Sequence, residues 1–114
     1  MEKAIILNAG EGTRLRPLTN DLPKCLLKID DLTILDHQLQ RLKEIGILEI
    51  VLVVGFHSEM ITKKVGDSGL DLTFRFVHNP IYYKTNTVYS LWLAKNEMNK
   101  DFIFLNGDVV FHLD

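Results

Sequence analysis

The sequence predicts an α/β layered domain built on a mostly parallel sheet, and three observations carry that expectation. Short apolar runs rich in β-branched residues recur along the chain. They alternate with helical patterns, and two of them lead directly into polar, glycine-bearing stretches. With 114 residues, 46% of them hydrophobic and 25% charged, the chain has material for one small globular domain.

The first run, Ala4-Ile5-Ile6-Leu7, reads as a buried strand. Asp30-Asp31-Leu32-Thr33 then precedes a helical pattern that sets Ile34, Leu35, Leu39, Leu42 and Ile45 on one face. Thr33 is its N-cap and Gly46 its C-terminal stop. Ile50-Val51-Leu52-Val53-Val54 is apolar without alternation, the pattern of a strand buried on both faces of a parallel sheet. Gly55-Phe56-His57 forms its exit, and Ser58 caps a short helix through about Val65. Gly66-Asp67-Ser68-Gly69 turns the chain into a third strand, Leu72 to Val77, which ends at His78-Asn79-Pro80.

Tyr82 to Thr87 reads as a loop, followed by a helix from Val88 through Ala94 that packs Val88, Leu91 and Trp92 inward. Phe102-Ile103-Phe104-Leu105 is a fourth buried strand running into Asn106-Gly107-Asp108. Such alternation implies right-handed crossovers, with ligands held beyond the carboxyl ends of the strands at the switch point. The stretch after the first strand and Asp108 after the fourth are both expected at that edge.

Composition narrows the function classes. A formal net charge of -2, with no basic face outside one loop, argues against nucleic-acid binding. The single Cys25 forms no internal disulfide and suits a reducing cytoplasm; within Cys25-Leu26-Leu27 it reads as core rather than nucleophile. No apolar stretch approaches a membrane span, and the first residues do not read as a signal peptide. His37, His57, His78 and His112 are scattered without metal-ligand spacing, and no Ser–His–Asp arrangement is discernible.

The chemistry concentrates in Leu7-Asn8-Ala9-Gly10-Glu11-Gly12-Thr13-Arg14-Leu15-Arg16-Pro17 and in Pro23-Lys24 downstream. Two glycines one residue apart let the backbone turn sharply and aim N–H groups at one point, an anion-binding concavity. Arg14 and Arg16 add cationic forks and Lys24 a point charge, opposed only by Glu11 and Asp21. A nucleoside triphosphate is the matching ligand. The dinucleotide fingerprint fails because Leu15 stands where a third glycine is needed, and no Gly-Lys-Ser/Thr Walker pattern is present.

Gly10 through Pro17 together with Pro23-Lys24 resembles the signature of the nucleotidyltransferase (nucleotide-diphosphate-sugar pyrophosphorylase) family, a Gly-x-Gly-Thr-Arg-Leu-x-Pro loop followed by Pro-Lys. Asn8 departs from the pattern, since most members carry a small residue there. The segment His78 to Trp92 is similar to that of phosphocholine and inositol-phosphate cytidylyltransferases, in which an Asn-containing loop leads into Ser-Leu on a helix. Asn amides both donate and accept, as reading a cytosine edge requires. Here Thr87 stands where many relatives have a second Asn, and capping the helix is a competing role for Asn86 or Thr87. Tyr82 and Tyr83 either face a cationic head group or simply pack the loop, the second being the simpler account.

The resemblance implies a Rossmann-like fold and transfer of a nucleotidyl group, with CTP favoured, to a phosphorylated acceptor such as phosphocholine. By that likeness Leu7, Asn8, Ala9, Gly10, Glu11, Gly12, Thr13 and Arg14, with Asn79, Asn86 and Thr87, bind the nucleotide. Arg14 and Lys24 act on its phosphates, and Asp108 holds Mg²⁺, a hard cation that prefers oxygen. For Asp108 the competing role is capping the next turn.

The likeness covers the whole chain as the N-terminal half of longer members, and the sequence runs only six residues past Asp108. The acceptor-binding half is therefore expected to be missing, which leaves a truncated form, a split subunit or a small nucleotide-binding protein. An uncovered sheet edge favours self-association. Sugar-1-phosphate transfer with another nucleotide, or a catalytically silent nucleotide-binding module that needs a partner, are the alternatives.

Overall fold

The computed structural model describes residues 3–10, 17, 20–84, 87–98 and 101–107. The main elements are β1 (Lys3–Asn8), β2 (Lys28–Ile29), β3 (Leu32–Thr33), α1 (Ile34–Glu44), β4 (Glu49–Val54), α2 (Ser58–Gly66), β5 (Thr73–His78), α3 (Thr87–Leu93) and β6 (Phe102–Asn106). Single 3₁₀ turns occupy Lys24–Leu26, Tyr82–Lys84 and Lys95–Glu97. β5, β4, β1 and β6 form, in that order, a sheet in which every pairing is parallel. The α/β class and its parallel sheet are thus as the sequence predicts.

Strand order follows from the crossovers. From central β1 the chain steps outward to β4 and β5, then returns across the sheet to place β6 on the other side of β1. The direction of winding reverses between β1 and β6, which makes that pair the switch point. Asn8 pairs with Val54 and Val54 with His78, while Leu7 pairs with Asn106, so the carboxyl ends of the strands lie level.

Alternation along β1 and β4 divides the core into two layers. Ala4, Ile6, Ile50, Leu52 and Val54 pack with Leu35, Leu39 and Leu42 of α1 and with Ile61 and Val65 of α2. Ile5, Val51 and Val53 face the other way, toward Ala94 with Tyr82 and Met98. Ile50 to Val54 are wholly buried, as their unbroken apolar run implies. The second layer is thinner. Phe104 keeps 39% of its surface exposed and Trp92 55%.

Local chemistry sets the helix boundaries. The Thr33 hydroxyl accepts from the Asp36 N–H at 3.0 Å and the Asp36 carboxylate accepts from the Thr33 N–H at 3.1 Å, a reciprocal capping box. Gly46, at φ +88°, takes the left-handed conformation that stops α1.

Several expectations are corrected. Ile45 is exposed at the helix end rather than on the buried face. Ser58 is the first residue of α2, and the cap position belongs to His57 in a left-handed conformation without a side-chain cap bond. Trp92 lies outside, stacked on Tyr89 at 5.8 Å with the Lys95 ammonium 4.2 Å from its ring centre. Ser90 and Ala94, one turn apart, are the buried pair instead. β6 is half-buried because only β1 flanks it among the described strands. The short β2–β3 pair, turned at Asp30 with φ 59°, was not anticipated.

At the amino edge Lys3 is buried, a costly position for an ammonium. Its Nζ donates to the Glu97 carbonyl at 2.8 Å and to the Glu97 carboxylate at 3.1 Å, and Arg75 donates to the same carboxylate at 3.0 Å. The Lys3 hydrogen bond leads in holding the Glu97 carboxyl below its ordinary range, outweighing the effect of burial. For Asp36, burial pushes upward, but the bonds from Thr33 and Lys64 prevail and the net shift is also downward. Both carboxyls therefore bind protons less readily folded than unfolded, so their contribution is intact at neutral pH and is lost on acidification below about pH 4. Glu97→Ala removes the carboxylate that Lys3 and Arg75 share and is expected to lower unfolding stability by roughly 2–3 kcal/mol. Urea titrations at pH 7 and pH 3 check both points: wild type weakens on acidification, and Glu97→Gln weakens less.

Candidate nucleotide-binding site

Three chain segments converge on the carboxyl edge. β1 ends at Asn8 and passes through buried Ala9 to exposed Gly10. The Ala9 carbonyl accepts from the Phe56 N–H at 3.1 Å, which ties the exit of β1 to that of β4. Gly55 makes this approach possible: a Cβ there would lie 2.8 Å from the Tyr82 Cβ and 3.0 Å from the Ala9 carbonyl. Tyr82 also meets the Phe56 ring edge-on at 5.9 Å, so its aromatic body packs the loop.

From the other side, the Gly107 N–H donates to the Leu7 carbonyl at 2.9 Å. A Cβ at 107 would come within 1.9 Å of Asn8 Oδ1 and 2.7 Å of the Leu7 carbonyl, so only glycine fits. Gly107 therefore brings the chain that leads to Asp108 against the same end of β1 from which Gly10 departs. Asp108 itself lies outside the described residues, as do Glu11, Gly12, Thr13 and Arg14.

Lys24 opens the 3₁₀ turn that follows extended Pro23. The turn is closed by the Leu26 N–H on the Pro23 carbonyl at 3.0 Å and the Leu27 N–H on the Lys24 carbonyl at 3.1 Å. Cys25 anchors the turn in the core, only 2% exposed, and burial pushes its thiol up to about 12. It stays a neutral packing group at physiological pH, while Lys24 beside it is half-buried.

Asn79 is buried at the end of β5 and serves the fold. Its Nδ2 donates to Ser90 Oγ at 3.2 Å and its Oδ1 accepts from the Ile81 N–H at 3.1 Å, which joins β5 to α3. Thr87 begins α3, and Asn86 lies outside the described residues. His37 is bonded to the Ile29 carbonyl at 3.1 Å and His57 lies 3.4 Å from Glu59. Among the described residues, no group of three or more His, Cys, Asp or Glu is placed to hold a metal ion, and no helix is long and apolar enough to cross a membrane.

One residue of the edge escaped the sequence reading. Gln38, on the buried face of α1 and wholly inaccessible, donates from Nε2 to the Asn106 carbonyl at 2.8 Å. It pins the last residue of β6 from beneath. The signal was available, because 38 shares a helical face with Leu35, Leu39 and Leu42 and a polar side chain there must find a partner.

A parallel sheet whose glycine-bearing exits meet at the switch point is the framework of a nucleotide-binding α/β protein. The Nucleotidyl transferase family model matches residues 3–114, and the chain belongs to that family. It is 39% identical over 109 residues to choline-phosphate cytidylyltransferase of Streptococcus pneumoniae, covering 96% of this chain and 46% of that protein. It is 32% identical over 110 residues to the UTP–glucose-1-phosphate uridylyltransferase AglF of Haloferax volcanii, covering 96% and 44%. The solved inositol-1-phosphate CTP transferase of T. maritima superposes with a TM-score of 0.83 at 28% identity, covering 97% of this chain and 45% of that one. The chain thus spans less than half the length of these relatives.

Gly107→Ala is expected to part the ends of β1 and β6 and to lower stability by about 1–3 kcal/mol through overpacking. The shift of the urea midpoint measures it, and an unchanged midpoint would contradict the close approach.

Proposed function

We propose that residues 1–114 are the nucleotide-binding part of a nucleotidyltransferase, which transfers a nucleotidyl group from CTP to a phosphorylated small acceptor such as phosphocholine. The observation that carries the reading is the close approach of Gly107 to Leu7 and Asn8, at the end of β1 that leads into Gly10, together with membership of the family. The cytidylyltransferase relatives favour CTP and a phospho-alcohol, and the T. maritima enzyme extends that preference to a cyclic polyol phosphate. The uridylyltransferase relative supports the second reading, a sugar 1-phosphate and another nucleotide.

The chemistry follows from the charges. An oxygen of the acceptor phosphate attacks the α-phosphorus of the triphosphate. The bond from that phosphorus to the bridging oxygen of the β-phosphate breaks, and pyrophosphate leaves with the electron pair. The nucleophile is already anionic, so the protein's task is to hold two anions in line and to offset charge as it shifts. Backbone N–H groups at Gly10, Gly12 and Thr13 cradle the nucleotide, Arg14 grips the β- and γ-phosphates, and Lys24 offsets charge on the transferring group. Asp108 is the proposed oxygen ligand for Mg²⁺, a reading supported by the close approach of its neighbour Gly107 to the end of β1. When bound, the ion supplies positive charge to the triphosphate.

The same reading gives the thin sheet face a covering partner, a second copy of the chain, which the exposure of Phe104 and Trp92 supports. Pyrophosphate release measured with each triphosphate, Mg²⁺ and either phosphocholine or a sugar 1-phosphate tests the assignment. CTP with phosphocholine is expected to be the productive pair, and Lys24→Ala to slow it by about a hundredfold. Nucleotide binding with no release under any pairing would favour a silent module. A sharp monomer in sedimentation at high concentration would remove the second copy.

A further inference from the structure

Among the described residues three buried side-chain amides stand at the carboxyl edge of the sheet, and two of them tie elements together. Gln38 holds the Asn106 carbonyl, and Asn79 bridges Ser90 and the Ile81 N–H. The third, Asn8, is only 6% exposed, and among the described residues neither its Oδ1 nor its Nδ2 has a hydrogen-bond partner. A buried amide left unpaired is costly, and native proteins rarely keep one without a reason. Asn8 lies at the switch point itself, on the last residue of β1, with its Oδ1 in the space that the absent Cβ of Gly107 leaves.

We propose that Asn8 is a specificity-determining residue whose amide is satisfied by the neutral part of a bound nucleotide, its base or ribose, rather than by the phosphate chain. The chemistry selects that part. The phosphates call for cations and converging N–H groups, which the loop sequence supplies in Arg14, Arg16 and its glycines. An uncharged group that both donates and accepts complements a base edge or a ribose hydroxyl. The unpaired state in the free protein is then the counterpart of a bond made on binding. This rests on the nucleotide-binding reading above.

Asn8→Ala separates the possibilities by two readouts. Removing an unpaired buried amide is expected to raise the melting temperature of the free protein by about 2–5 °C. The same variant is expected to bind CTP about tenfold more weakly while its affinity for inorganic tripolyphosphate stays unchanged, both measured by calorimetry at fixed Mg²⁺. A fall in the melting temperature would mean that the amide is already satisfied within the protein, and would overturn the proposal. So would an unchanged CTP affinity, or equal weakening toward CTP and tripolyphosphate. Asn8→Ser serves the same comparisons if the alanine variant does not fold. Failure of the nucleotide reading itself looks different, because wild type would then bind none of the triphosphates.

Discussion

The hydrogen bond from the Gly107 N–H to the Leu7 carbonyl, 2.9 Å long, extends the β1–β6 pairing one step beyond the last strand residue. The geometry of the carboxyl edge depends on it. Leu7 already pairs with Asn106, and this bond carries the close approach of the two exits one residue further. With it, the chain that carries Asp108 leaves from beside the chain that carries Gly10. The contact is close enough to forbid any side chain at 107, so the geometry rests on a residue with no chemistry of its own. Gln38 reinforces it from below by holding the Asn106 carbonyl.

The two ends of the sheet are specialised differently. At the amino edge a buried ammonium is answered by the carbonyl and carboxylate of Glu97, with Arg75 bridging to Glu49 and Glu97. Its charges are matched within the fold, as structural ion pairs are. At the carboxyl edge Asn8 is buried without a partner among the described residues, and an exposed glycine leads into a cationic stretch. Such an imbalance at one end is what a ligand site requires, because groups already satisfied within the protein have nothing left to offer.

Strands, the first helix and the edge at which the site would gather were legible in the sequence, because each depended on local pattern. The unbroken run Ile50 to Val54 could only be a doubly covered strand, and Thr33 ahead of the helical pattern marked its N-cap. What could not be read depended on tertiary context. Helical spacing alone does not say which face of a seven-residue helix meets the sheet, so Trp92 was assigned inward although Ser90, tethered by Asn79, sets the rotation. His57 adopts a left-handed conformation that no composition rule requires, which moved the cap off Ser58. β6 was read as buried because its sequence is apolar, yet burial is decided by neighbours, and only β1 flanks it among the described strands. Asn79 was assigned to the nucleotide on likeness alone, and its bonds show that it also ties β5 to α3.

The proposed site places a triphosphate and its divalent ion at the switch point between β1 and β6. Replacing Mg²⁺ by paramagnetic Mn²⁺ in the presence of CTP, and recording which backbone amide signals broaden, tests it most directly. Strong, CTP-dependent broadening is expected at Gly10 and Gly107 and little at Gly46 and Thr73, at the amino edge of the sheet. Broadening confined to the amino edge, or none at Gly107 while CTP is bound, would contradict it.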